Sequence, residues 1–204
     1  MMGKKYTGFT ENTMKKRLLD AGAFFKNYDL SKSYAENRTA GKLICATQGG
    51  GSFVATPSVR QVQVDGLASH TIGTEENDEW TAELTLKMLE ADAELSAMCL
   101  GAASVEAVAG DTTPAGYLRV KPRDTFADSD YLENVVWVGR WVGDDKPVMI
   151  VLYNALSLGG LSWSMQDKKE VVTECKLTAH YGAPDESGNQ DVPFEIFFPE
   201  VAAK

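Results

Sequence analysis

The chain has 204 residues, 44% of them apolar, and a formal net charge of −9. Length and composition suit one domain with a real core and generous loops. The acidic balance argues against a general nucleic-acid binder or a protein of anionic membrane surfaces, which gain affinity from Lys and Arg on phosphates. No apolar run approaches the ~20 residues of a membrane-spanning helix.

Residues 1–20, with Lys4, Lys5, Lys15, Lys16 and Arg17, are polar and basic and read as an arm. No apolar stretch follows them as in a secretory signal. The three cysteines, Cys45, Cys99 and Cys175, are far apart and form no CxxC. They are expected to be buried, reduced thiols of a protein made in the cytoplasm.

From Ala23 the pattern becomes β. AFFKNYD is a short strand, 31–41 a polar loop, and KLICATQ (42–48) an alternating strand. It runs into Gly49, Gly50 and Gly51. SFVA then leads to Pro57, which is expected to interrupt pairing. SVRQVQV (58–64) is a strand ending at the turn signal Asp65-Gly66, and 65–78 reads as a long loop. EWTAELTLKML (79–89) alternates strictly. Trp80, Ala82, Leu84, Leu86 and Met88 share one face, and Glu79, Thr81, Glu83, Thr85 and Lys87 the other. VVTECKLTAHY (171–181) repeats this, with Cys175 and Leu177 on the packed face and Glu174, Lys176 and His180 on the wet one. Such alternation marks strands packed on one face only.

One helix stands out, 92–104, with Leu95, Met98, Cys99 and Ala102 as its stripe and Asp92 as its cap. Residues 105–134 read as a mixed insert. Strands resume at 135–143 and 147–158, and a last one covers 192–198. Seven or eight strands with one helix predict a mainly β protein, a single sandwich or barrel-like domain over 21–204 with inserted loops at 65–78 and 105–134.

Little in the chain looks like chemistry. A phosphate loop needs glycines between strand and helix, followed by Lys and Ser or Thr; here both flanks are β and no Lys follows. Glycines inside a strand pattern instead allow a bulge, a bend or close backbone approach. Neither His70, in a polar loop, nor His180 has a ligand-spaced Cys or carboxylate, so no metal site is expected. No GxSxG elbow supports a nucleophile. Neither catalysis nor a cofactor is expected. Trp80, Trp137, Trp141 and Trp163 lie in strand-like segments and read as core or subunit-contact anchors.

The order LLDAGAFFKNYD, GKLICATQGGGSFVATPSVRQVQVDG, IGTEENDEWTAELTLKML and then an amphipathic helix, over residues 19–104, resembles the major tail proteins of long-tailed, non-contractile bacteriophages. The resemblance implies a β-sandwich or half-barrel flanked by one helix, six copies per ring, and rings stacked head to tail into the tail tube that conducts DNA during ejection. It implies a virion protein made and assembled in the host bacterial cytoplasm. Its partners would be itself, the tape-measure protein, tail-tip or terminator proteins, and DNA in transit, with no membrane partner. The wet faces of 79–89 and 171–181, with Glu79, Glu83, Lys87, Glu174 and Lys176, become candidates for the lumen, where an acidic wall would repel DNA phosphates. The loop 65–78, with His70, Glu75 and Glu76, and the arm, with Lys15, Lys16 and Arg17, become candidate contacts between subunits or rings, as does the terminal segment 200–204. Gly49, Gly50 and Gly51 become a sheet bend, and Gly50→Val is expected to block tubes while leaving a soluble monomer. The rival readings are another ring-forming virion protein, such as a tail terminator, and a monomeric β-sandwich binding module for protein or glycan.

Overall fold

The computed structural model describes residues 6–110 and 114–200. Lys4, Lys5 and residues 201–204 of the terminal segment lie outside them. The elements in chain order are β1 (Leu18–Lys26), α1 (Tyr34–Thr39), β2 (Thr47–Gln61), β3 (Glu75–Met88), α2 (Ala93–Leu100), β4 (Ala103–Ala107), β5 (Leu118–Pro122), β6 (Leu132–Trp141), β7 (Val148–Ser157), β8 (Thr173–Thr178) and β9 (Phe194–Phe197).

Seven strands form one antiparallel arrangement in the order β1-β6-β7-β8-β3-β2, with β9 also on β7. Strand β7 is shared between two layers. Its first part pairs with β9 through Met149–Leu152, and its end pairs with β8 at Leu156 and Ser157. Layer one is therefore β1-β6-β7-β9, layer two is β8-β3-β2, and the path does not close into a barrel. The result is an antiparallel β-sandwich with α2 packed on it.

The two layers obey different sequence rules for one physical reason. Phe24, Val135 and Leu152 of layer one face the inter-sheet core. Their neighbours Phe25, Val136 and Val151 are equally buried on the opposite face. That outer face is covered by the segment after β1, where Phe25 meets Tyr28 and Tyr34 edge to face. Strands buried on both sides read as near-continuous apolar runs, and VVWV and VMIVL are such runs. Layer two is covered on one side only. Ala82, Leu84, Leu86, Met88, Cys175 and Leu177 are buried in the core, while the residues between them face outward. Burying six such side chains contributes roughly 1.5–3 kcal/mol for each large aliphatic one.

Several sequence expectations need correction. Strand β1 begins at Leu18, inside the expected arm, and ends at Lys26. The polar loop 31–41 contains α1, capped by Ser33, whose hydroxyl accepts from the Glu36 N–H while the Glu36 carboxylate accepts from the Ser33 N–H. Of 42–48, Lys42–Ala46 lie outside any strand, with Leu43 making one isolated bridge to Phe25. Strand β2 begins at Thr47 and runs unbroken through the glycines and Pro57. Pro57 lies opposite Trp80, whose N–H turns the other way to the Tyr181 hydroxyl at 2.7 Å. The Pro57 nitrogen thus faces the open edge, where no ladder bond is lost. Residues 75–78 of the expected loop belong to β3, which leaves 62–74 as the connection. The helix ends at Leu100, and 103–107 is strand. The insert 105–134 holds most of the separate β4–β5 hairpin, with Glu106 and Arg119 paired across it at 2.7 Å. Trp163 lies in the long connection 158–172, exposed and outside any strand, whereas Trp141 is buried and meets Phe198 edge to face.

All three cysteines are free and buried. Burial, with the Glu90 charge adding to it, pushes the Cys45 thiol up to about 12. A hydrogen bond to Cys99, and then burial, hold Cys175 above the ordinary thiol range. A folded-state pKa above the unfolded value of 9.0 means that this stabilisation is complete below pH 9 and is lost as pH rises toward 12. We expect a thiol-specific disulfide reagent at pH 8 to label none of the three in the folded protein and all three in denaturant. Labelling without denaturant would contradict the burial.

Candidate functional site

The hairpin β2–β3 is the longest element, with 15 and 14 residues in its strands. It pairs from Thr47↔Met88 out to Gln61↔Glu75, and the Val62 N–H donates to the Thr74 carbonyl at 2.7 Å to close its tip. Strand β8 supports only its base, Glu83–Met88. Beyond Trp80 the ribbon is exposed on both faces, and its connection carries Val64, Leu67 and a fully exposed Ile72. Apolar side chains at the end of an unsupported ribbon gain nothing for the folded monomer.

The structure brings Glu79, Glu83, Lys87, Glu174 and Lys176 onto one outward face of β3 and β8. Lys87 lies opposite Glu174, and Thr85 opposite Lys176. Lys176 Nζ meets Glu83 Oε1 at 2.7 Å, diagonally across the pair. Strand β2 extends the same face with Ser52, Val54, Thr56 and Ser58 opposite Thr85, Glu83, Thr81 and Glu79. The face is hydroxyl-rich and nearly balanced in charge: three carboxylates against two ammonium groups. The negative charge of the chain lies mostly elsewhere.

Glu76 is taken by a partner in its own hairpin, and Glu75 has only a histidine nearby. Glu75 Oε1 is 3.5 Å from His70 Nδ1, and Glu76 is bound by Arg60, which also reaches Asp78 Oδ1 at 3.3 Å. Lys15 and Lys16 are exposed and Arg17 half-buried. Among the described residues none of the three meets an acid. His180 is not on the wet face of a strand. It follows β8, half-buried, with its Nδ1–H donating to the Asn154 carbonyl at 3.1 Å and its ring edge-on to Tyr131.

The glycines lie where the two ends of the sheet meet without pairing. Between Thr47 and Gly51 strand β2 takes more residues than β3 opposite it, a bulge in which Gly49 and Gly50 have φ of 86° and 68°. Strand β1 has its own bulge between Leu19 and Ala23. The two bulges face each other, and a Cβ on Gly50 would lie 3.5 Å from that of Ala21. Beside them opens a cleft of about 470 Å³ floored by Phe24, Phe53, Leu84, Trp137 and Ile150. Gly51 presses on the layer itself: its Cβ would overlap the Thr85 carbonyl and approach Phe24 Cζ to 2.7 Å. No helix N-terminus lines this cleft. The β4–β5 hairpin has a signal in the sequence, alternation in ASVEA and LRVKP around a Gly- and Pro-containing connection.

Among the described residues no three His, Cys, Asp or Glu side chains form a group that could hold a metal ion. No helix there is long and apolar enough to cross a membrane. No family model matches the chain, and a search of curated proteins finds no match.

Proposed function

We propose that this chain is a structural subunit that assembles with copies of itself into a tail tube, as the resemblance to non-contractile phage tail proteins suggests. The observation that carries the reading is the β2–β3 hairpin: a sheet packed on one face and polar on the other, free at its β2 edge, extended by a ribbon whose apolar tip has no partner among the described residues. Free edges and exposed apolar tips are satisfied when copies join. Six copies per ring and head-to-tail stacking would place the subunit in the virion tail, beside tape-measure, tail-tip or terminator proteins. The polar face of β2, β3 and β8 is the proposed lumen wall. Its hydroxyls and near-balanced charges, with Lys176 paired to Glu83, offer DNA no array of cations, so passing phosphates would find little to bind. Repulsion by a strongly acidic wall is a smaller part of this account than the total charge suggests. No catalytic step is proposed.

Negative-stain electron microscopy across a protein concentration series, with light scattering, tests the reading. Hollow tubes or stacked rings are expected. Rings that never stack favour a terminator-like role, and a monomer that stays single even with tail-tip and tape-measure partners added overturns the proposal.

A further inference from the structure

A second cleft, of about 490 Å³, opens where β7, the end of β8 and the start of β9 diverge. Asn154 makes the divergence possible. Its φ is 46°, and its side-chain amide donates to the His180 carbonyl at 3.1 Å. The walls are Tyr153, Asn154, His180 and the loop from Gly182 to Pro193, and the charged groups that face the cleft are Asp185, Asp191 and Glu195. Among the described residues no Lys or Arg lines it. Asp185 Oδ1 accepts from the Ser187 and Asn189 N–H groups at 2.8 Å, which aligns this carboxylate and holds its pKa below the usual range. Glu195 Oε2 accepts from the Tyr153 hydroxyl at 3.0 Å. Among the described residues no three acids gather closely enough to hold a metal ion, so the cleft suits a segment carrying several cations better than a point cation.

That segment exists in the same sequence. The arm residues Lys15, Lys16 and Arg17 leave the domain beside Gly143, where the Val142 N–H donates to the Arg17 carbonyl at 3.1 Å. Leu18 pairs with Trp141, at one end of β6, while Tyr153 pairs with Asn134, near the other end. At ~3.3 Å per residue the two places are about 23 Å apart along the strand. In this fold the arm leads away from the cleft.

We propose that the acidic cleft between β7, β8 and β9 is a docking site for the basic arm of a second copy of this chain, received through Lys15, Lys16 and Arg17. The inference rests on the self-assembly reading above. Donor and receptor lie at opposite ends of one molecule, so the contact is heterologous, and joining copies from ring to ring in this way gives the stack a direction. The charges set register and encounter, while apolar contacts elsewhere hold the assembly together.

Two charge-reversed variants test it. The first carries Lys15→Glu and Lys16→Glu, the second Asp185→Lys and Asp191→Lys. All four positions are exposed, and although Asp185→Lys removes two side-chain bonds, its loop keeps the backbone bonds from the Asp185 N–H to the Asn189 carbonyl and from the Gly188 N–H to the Asp185 carbonyl, so both variants are expected to fold, as circular dichroism would show. Each alone should fail to stack where the unaltered protein stacks. Mixed in equal amounts they should stack again, because each arm then meets a cleft of opposite charge. Stacking by either variant alone, or no rescue in a mixture of folded variants, overturns the docking. A synthetic peptide of residues 6–17 gives an assembly-independent readout. It should bind the full chain at least tenfold more tightly than the Asp185→Lys, Asp191→Lys variant, and more weakly as salt rises. Equal binding to both, or none, overturns the docking. Failure of the unaltered protein to assemble even with tail-tip and tape-measure partners added, with the peptide still bound, would instead overturn the tube reading alone.

Discussion

Gly51→Val is expected to cost the fold about 3 kcal/mol, the upper end of the overpacking range, and to leave little soluble protein. The Gly51 Cβ position is occupied by the Thr85 carbonyl and the Phe24 ring. Neither yields easily, since one belongs to the β2–β3 ladder and the other is a fully buried core ring. Set against a typical total stability of 5–15 kcal/mol, that loss is large. Gly50→Val acts differently. A side chain there has room beside Ala21, but φ of 68° places an L-residue in the left-handed region, at a cost of about 1–2 kcal/mol. Urea unfolding of the two variants should therefore rank Gly51 below Gly50. The Gly50 variant should stay soluble and assemble poorly, because its strain falls on the seam between β1 and β2. A Gly51 variant with an unchanged urea midpoint would refute the packing argument, and normal tubes from Gly50→Val would remove the seam from assembly.

Removing the hairpin tip should have the largest effect on assembly and almost none on folding. Replacing residues 63–73 with an Asn-Gly turn keeps the base of the tip, where the Val62 N–H donates to Thr74. It removes Val64, Leu67 and Ile72, which contribute nothing to either core. The urea midpoint should correspond to a change within about 0.5 kcal/mol. The concentration needed for assembly should rise at least tenfold, read by light scattering and microscopy. Unchanged assembly would take the tip out of the interface and leave the ribbon without a role.

Much of the polar surface used here is legible from local patterns. Strict alternation in 79–89 and 171–181 places Glu79, Glu83, Lys87, Glu174 and Lys176 on one side of their strands, because a strand packed on one face must send every second side chain to water. The Asp92 cap is equally local: its carboxylate accepts from the Leu95 N–H at 2.7 Å. The Ser33–Glu36 capping box is local too, a Ser followed three residues later by Glu within the polar segment 31–41. Other features have no local signal. Pro57 is tolerated only because β2 is an edge strand and the proline nitrogen points outward, a matter of which strand lies beside which.

The wet face of layer two, the burial of the thiols and the place of the glycines in a sheet are all readable along the chain, since each follows from side-chain period or backbone freedom over a few residues. Only the folded arrangement makes the wet face nearly neutral, pairs Glu76 with Arg60, and sets Tyr153, His180, Asp185 and Glu195 around one cleft. These depend on register and on strands brought together from distant parts of the chain, and such pairings are selected by the summed packing of the whole core.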